Sequence, residues 1–225
     1  MTEGTLAARD LQLALGAGLK SLGMPLPEHS QSSLVAYVAL LAKWNATYNL
    51  TAIRDPERML THHILDSLAV LPALDAQVAG VADVHVLDVG SGAGLPGLPI
   101  AIARPAWRIT MLEPVQKRAA FVTQAIAEIG IPNAKILARR VEDYEAQSPV
   151  HIAISRAFSD LASFAESSAR HVGTRGVLVA MKGVHPDEEL RELPPAFEVR
   201  TEVALDVPGV DAARHLIVMQ QRHDR

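Results

Sequence analysis

Asp88-Val89-Gly90-Ser91-Gly92-Ala93-Gly94-Leu95-Pro96-Gly97 is the segment best suited to holding a ligand. Glycines let a backbone approach a bound molecule closely and take positive φ angles. The segment follows the β-rich run Val84–Val89, which makes it a binding turn at the C-terminal end of a strand. Three ligand classes compete for it. A nucleotide phosphate loop ends in Gly-Lys-Ser/Thr, and this turn holds no lysine. A dinucleotide turn has Gly-x-Gly-x-x-Gly spacing. Here Gly90, Gly92 and Gly94 alternate strictly, although Gly92, Gly94 and Gly97 form a shifted near-match. The third class is S-adenosylmethionine, which carries no phosphate but a carboxylate, an ammonium, a ribose and a sulfonium. Asp88, two residues before the first glycine, is awkward beside a pyrophosphate and useful beside a cationic amino acid. Glu113 ends the next strand, 19 residues after Gly94, where an acid can accept from both ribose hydroxyls. That acid suits NAD equally, so it does not discriminate. The plain alternative is a structural turn with a solvated strand-end acid.

Further candidates lie outside the turn. Arg156 follows the fourth strand candidate and faces the ligand crevice there; the alternative is a surface ion pair with Asp160, four residues on. Phe158 can stack on an unpaired base or fill the core at a strand–helix junction. His62, His63 and Asp66 invite a metal, but only one of two adjacent histidines can share a helix face with Asp66. No HExxH pattern or cysteine completes a site, so a helix-surface or interface role is expected and no metal. Trp44, Asn45, Tyr48 and Asn49 either shape the crevice mouth or join a helical cap to the sheet.

The elements that must position these residues fall into two parts. Residues 1–80 read as a helical cap packed on the main domain, and residues 81–225 as the ligand-binding domain. Leu6, Leu11, Leu15, Leu19 and Leu22 make one apolar stripe that Gly23 and Pro25/Pro27 terminate. Ser30–Ser33 offer caps for a second helix running to about Trp44, and Asp55-Pro56-Glu57 opens a third. From Val84 the period changes. Strand candidates are Val84–Val89, Arg108–Leu112, Ala134–Ala138, His151–Ser155, Val177–Met181, Glu198–Leu205 and His215–Gln220. Helical stretches lie between the first five, notably Val115–Ile129 and Ser159–His171, with Asp160 in the first turn of the latter. This alternation implies βαβ units and a parallel sheet, and the last two strands an antiparallel hairpin at its edge.

Composition excludes several classes. The chain has 225 residues and no cysteine, so disulfides, thiolate zinc sites, iron–sulfur clusters and thiol catalysis are out. Its net charge of −4 argues against a protein that coats nucleic acid. The charge is uneven, however. Residues 101–141 carry Arg104, Arg108, Lys117, Arg118, Lys135, Arg139 and Arg140 against Glu113 and Glu128, a net +5. Residues 185–207 carry a net −5. The basic stretch suits phosphates over a limited footprint, or is a solvated face laced with ion pairs. The segment MTEGTLAARD lacks the order of a signal peptide and no apolar run spans a bilayer, so a cytoplasmic protein without a membrane partner is expected.

Asp-x-Gly-x-Gly-x-Gly followed by Glu113 resembles the class I methyltransferases. The longer string VLDVGSGAGLPGLPIAIARP resembles one branch, the bacterial 16S rRNA guanine-N7 methyltransferases of the glucose-inhibited division protein B family. Lys43–Pro72, Leu112-Glu113-Pro114 with Lys117-Arg118, Arg140–Asp143, Ile154–Phe158, Met181-Lys182-Gly183 and Arg214-His215-Leu216 are similar to that family's other signatures. Glu113 departs from members that carry Asp there. The resemblance implies a Rossmann-like sheet of seven strands, mostly parallel, with an N-terminal helical addition. It implies S-adenosyl-L-methionine as cofactor, methyl transfer to N7 of a guanine, and 16S rRNA or the small ribosomal subunit as partner, with no obligate protein partner. Gly90 and Leu95 would hold the methionine end, with Asp88, Gly92 and Gly94 in the same turn. Glu113 would take the ribose, Val141 and Glu142 would flank the adenine, and Arg156 would complete the cofactor site. Arg104, Lys117, Arg118, Arg139 and Lys182 are the candidate RNA contacts. Guanine N7 has a free lone pair, so no general base is expected, and Arg156 and Phe158 are candidate positioning residues. Many amino-methylating relatives carry an Asn/Asp-Pro-Pro-aromatic motif where this chain has Ser155-Arg156-Ala157-Phe158, which argues against an exocyclic amine as acceptor. The alternatives are a methyltransferase for a small molecule or protein, a nucleotide-dependent oxidoreductase, and a catalytically silent RNA-recognising module.

Overall fold

The computed structural model of the chain describes residues 3–156 and 158–222, with side chains from residue 8; Ala157, in the Ile154–Phe158 string, lies outside them. Its centre is a seven-stranded sheet in the order β3-β2-β1-β4-β5-β7-β6. The strands are β1 (His85–Val89), β2 (Arg108–Leu112), β3 (Ala134–Leu137), β4 (Val150–Ser155), β5 (Val172–Lys182), β6 (Phe197–Ala204) and β7 (His215–Gln221). The first five are parallel, and β7 inserts antiparallel between β5 and β6. β1 is buried along its whole length, as a central strand covered on both faces must be.

Alternation along the strands sorts the core into two halves. Val86, Ile109, Met111, Ile152 and Ile154 face one cluster, and Leu87, Val89, Leu112 and Ala153 the other. The first face is covered by α6 (Gly97–Ala103) and α7 (Gln116–Ile129), and the N-terminal helices α1 (Glu3–Ser21) and α2 (Glu28–Tyr48) share its core. Leu11, Leu15 and Leu19 of the apolar stripe are buried there. Tyr37 and Trp44 pack on Phe121 of α7, with ring centroids 6.1 and 5.7 Å apart. α8 (Leu161–Ser168) covers the second face. Among the described residues no helix is long and apolar enough to cross a membrane.

Four local readings needed correction. α2 starts at Glu28 behind Pro27, whose fixed φ preorganises the entry, while Ser30 Oγ instead donates to Ile102 O of α6. It runs on to Tyr48 and ends at Asn49, in the left-handed region at φ 49°. Asp160 stands at the N-cap of α8, accepting from Ser163 N at 2.7 Å, one position before the helix rather than within it. The third helix begins at Asp55-Pro56 as expected, but only Pro56–Met59 (α3) is regular. It widens into a π-helical segment, Leu60–Leu65, before Asp66–Leu68 (α4) resumes, and α5 (Leu71–Gln77) follows. Finally, the β3–β4 connection holds no helix; residues 138–149 run as turns, pinned by side chains rather than by a hydrogen-bond ladder.

Candidate functional site

The glycine turn leaves β1 and is folded against the end of β2 and against itself. Gly90 N and Ser91 N donate to Leu112 O, Gly92 N to Glu113 Oε2 at 2.8 Å, and Gly94 N and Leu95 N to Ser91 O. These five amides therefore have protein acceptors and are not aimed at an anion, which separates this turn from a pyrophosphate cradle. Gly90 and Gly92 take φ of +73° and +59°, and a Cβ on either would meet nothing within 4 Å. Both open onto free space where a ligand can lie against bare backbone. Gly94 and Gly97 are also required by packing: a Cβ would strike Leu98 in the first case, and Met111 and Asp88 in the second.

Two carboxylates flank the turn. Glu113 is 3% exposed and accepts from Gly92 N and Val115 N, each at 2.8 Å, which leaves lone pairs of both oxygens for further donors. Asp88 is fully buried; Oδ2 accepts from Gly97 N at 2.8 Å, while Oδ1 has no protein partner. Burial pushes its carboxyl up to about 7, against the opposing pull of the Gly97 amide and the Arg156 guanidinium. Tyr37 of α2 ties the helical cap to the turn, its hydroxyl donating to Ala93 O at 2.7 Å.

Arg156, at the end of β4, does not pair with Asp160. Its Nη1 lies 3.5 Å from Asp66 Oδ2 and donates to His62 O at 3.3 Å. Asp66 is buried and also accepts from Arg214 Nε at 2.8 Å, so one carboxylate from the cap joins guanidinium groups at the ends of two strands. His63 lies beside this pair, with Nε2 2.9 Å from Thr51 Oγ1 and Nδ1 3.0 Å from His62 O. Burial and then the Arg156 charge push its imidazole down to about 4, so it is neutral near pH 7. Asn45 anchors the intervening loop, accepting from Thr51 N and donating to Ile53 O. His62, His63, Asp66, Arg156 and Arg214 border a cavity of about 350 Å³ between the π-helical segment and the ends of β4, β5 and β7; Ile53, Met181, Lys182, Gly183, Leu205 and His215 complete its wall. The expectation that one histidine alone shares a side with Asp66 fails, because the widened π turn brings His62, His63 and Asp66 to the same cavity. Among the described residues no group of three or more His, Asp or Glu side chains is placed to hold a metal ion.

The remaining candidates scatter. Val141 is buried in the second core half and Glu142 is exposed in the turn after β3. Phe158 is half-buried against Phe164, centroids 5.5 Å apart, which favours its packing role. Lys117 and Arg118 open α7 directly after Glu113, with Arg118 Nη1 3.9 Å from Glu113 Oε1. Arg139 follows β3 and Lys182 ends β5, paired with Glu189 at 2.7 Å. Arg104 stands away from this site. It caps the C-terminus of α6, the end that returns the chain to the start of β2, and is bonded to Asp75. Tyr37, Asp66, Thr51 and Arg214 carry no local sequence signal for these contacts, which join segments as many as 148 residues apart.

Comparison with known proteins follows the same lines. The family described as GidB, rRNA small subunit methyltransferase G, matches residues 30–217. A protein of Azoarcus sp. named ribosomal RNA small subunit methyltransferase G is 48% identical over 205 residues, covering 91% of this chain and 94% of its own. One of the same name from Nitrosospira multiformis is 45% identical over 215 residues, covering 92% and 96%. Solved structures with the same fold include the N-methyltransferase NodS of Bradyrhizobium japonicum, in complex with S-adenosyl-L-homocysteine. It is 13% identical with a TM-score of 0.57, covering 83% of this chain and 98% of that one. The glycopeptide N-methyltransferase MtfA, complexed with S-adenosyl-L-methionine, is 12% identical with a TM-score of 0.57, covering 70% and 87%.

Proposed function

The chain belongs to the rRNA small subunit methyltransferase G family, and from that premise we propose that it transfers a methyl group from S-adenosyl-L-methionine to N7 of a guanine in 16S rRNA. The observation that carries this reading is the turn itself: amides satisfied internally, two glycines open to a ligand, and two carboxylates beside them. A dinucleotide brings two phosphates to such a turn and would find acids and occupied amides. S-adenosylmethionine fits it, since Asp88 Oδ1 is a buried acceptor still lacking a donor.

The methionine end is assigned to Asp88, Gly90, Gly92, Gly94, Leu95 and Arg156, the ribose to Glu113, and the adenine to the turn carrying Val141 and Glu142. Order along the sheet supports this, because β1, β2 and β3 are neighbours and ligands of such sheets lie across the strand ends. When bound, the cofactor supplies an electrophilic methyl on a sulfonium. The chain's part is to bring the acceptor in line with that methyl and to shape the field around it. The cavity beside Arg156 is assigned to the guanine. N7 attacks with a lone pair it already has, so no residue need remove a proton. His63, held neutral, adds no charge there. Asp66 and Glu189 offset the charges of Arg156, Arg214 and Lys182 beside the base, which becomes cationic on transfer. Lys117, Arg118 and Arg139 flank the crevice and are assigned to RNA phosphates. The reaction belongs in the cytoplasm with the ribosomal substrate. Binding of labelled S-adenosylmethionine and of NAD, measured separately, tests the cofactor: tight NAD binding without S-adenosylmethionine binding overturns the reading.

A further inference from the structure

Residues 138–149 connect β3 to β4 without a helix, so their carbonyls find donors elsewhere. One guanidinium supplies three of them: Arg170 Nη2 donates to Val141 O at 3.0 Å, to Tyr144 O at 3.3 Å, and to Glu142 O. The next residue reinforces the hold. His171 is buried, its Nε2 lies 3.2 Å from Val141 O, and its ring packs on Tyr144 with centroids 5.4 Å apart. Burial lowers the His171 pKa, which keeps the imidazole neutral. Both residues sit in the short 3-10 turn between α8 and β5, at least 26 residues along the chain from the carbonyls they hold.

We infer that Arg170 is a positioning residue for the cofactor: it fixes the 141–144 turn in the shape that receives the adenine. The inference rests on the cofactor assignment above. β2 pairs with β3 through Leu112 and Leu137, so the turn after β3 is the next strand end beyond Glu113, on the side where a base attached to that ribose must go. Val141 points into the core and Glu142 to solvent, which leaves the backbone of the turn to meet the ligand. Without Arg170 the turn keeps the His171 contacts and its own bonds, Asp143 N to Arg140 O and Tyr144 N to Val141 O, both longer than 3.1 Å. Binding must then order the turn, and affinity falls by that cost. A lysine preserves charge and can donate to some of these carbonyls, but its flexible ammonium is not held in a fixed plane as the guanidinium is.

The test uses the full chain and three variants of the measurement: calorimetric affinity for S-adenosylmethionine, steady-state methyl transfer, and thermal melting. Arg170→Met should weaken cofactor affinity about tenfold, equivalent to about 1.4 kcal/mol. KM for the cofactor should rise in step, with kcat at saturating cofactor and KM for RNA within about twofold, because the Arg156 cavity is untouched. Arg170→Lys should fall between the two and serves alone if Arg170→Met does not fold. Wild-type cofactor affinity in a folded variant overturns the inference and leaves the cofactor reading standing. So does a loss of kcat that tracks melting temperature with KM unchanged, the signature of a merely structural pin. A wild-type chain that binds no S-adenosylmethionine overturns both.

Discussion

Asp88 offers the sharpest quantitative handle on the site, through pH and through Asp88→Asn. Its carboxyl stands at about 7 instead of 3.8, chiefly because it is buried. Below pH 7 the ligand-free protein therefore holds it mostly neutral. A cationic ligand beside it favours the charged form, so binding releases a proton. Affinity for S-adenosylmethionine should then fall about tenfold between pH 8 and pH 6, and the fall should vanish in Asp88→Asn. Stability moves the other way. A carboxyl whose folded value lies above its unfolded one gives stability that is complete below pH 3.8 and lost as pH rises through 7. At about 1.4 kcal/mol per pH unit, the ionised side chain costs the ligand-free fold about 4 kcal/mol at pH 8. Asn keeps the bond from Gly97 N but leaves its amide hydrogens unpaired, at about 1–3 kcal/mol. The variant should thus be about 2 kcal/mol more stable than wild type at pH 8, an advantage that disappears by pH 5, while binding cofactor poorly. Calorimetry and urea unfolding at several pH values measure both effects. Affinity that is flat from pH 6 to 8, with Asp88→Asn destabilised equally at both ends of the range, would refute the reasoning.

Other outcomes follow from the same geometry. Gly90→Asp should abolish cofactor binding, since a side chain and a charge enter the open space at a φ of +73°; equilibrium dialysis checks it, and normal affinity would show that the turn is misassigned. Asp66→Ala leaves Arg156 and Arg214 without their shared carboxylate. With both guanidiniums partly solvated, the loss should be about 2–3 kcal/mol in urea unfolding, with methyl transfer reduced further than stability explains. Tyr37→Phe removes the buried bond to Ala93 O and should cost about 1–2 kcal/mol, with a weaker cofactor affinity. Lys117→Ala should weaken RNA binding and reduce its salt slope by about one counterion, whereas Arg104→Ala, bonded to Asp75 at the far end of α6, should leave that slope unchanged.

How far the sequence revealed this protein depended on whether the relevant contacts were local. The strands were readable because apolar β-rich runs ended in turn residues, although β5 begins at Val172, five residues before the expected Val177, and the glycine turn because Gly90, Gly92 and Gly94 follow a strand directly. Asp55-Pro56 was readable as a cap because its bond to Glu57 N spans two residues. The π-helical segment was not, since nothing in the residue types of Leu60–Leu65 distinguishes it from an ordinary helix. Arg156 illustrates the same limit: Asp160 was the carboxylate four residues away, while Asp66, 90 positions earlier in the chain, is the one the fold supplies. The charge of the basic stretch was likewise visible, but Arg104 and Arg108 lie just before and at the start of β2, away from the site, paired with Asp75 and Asp83.

The central claim is best tested on the reaction itself. Small-subunit rRNA from cells lacking this enzyme, offered both naked and as assembled particles, should take up methyl label from S-adenosylmethionine, and N7-directed strand scission should map it to a single guanine. Label absent from RNA but present in a metabolite or a protein, or cofactor binding without transfer to any form of the RNA, would contradict the account.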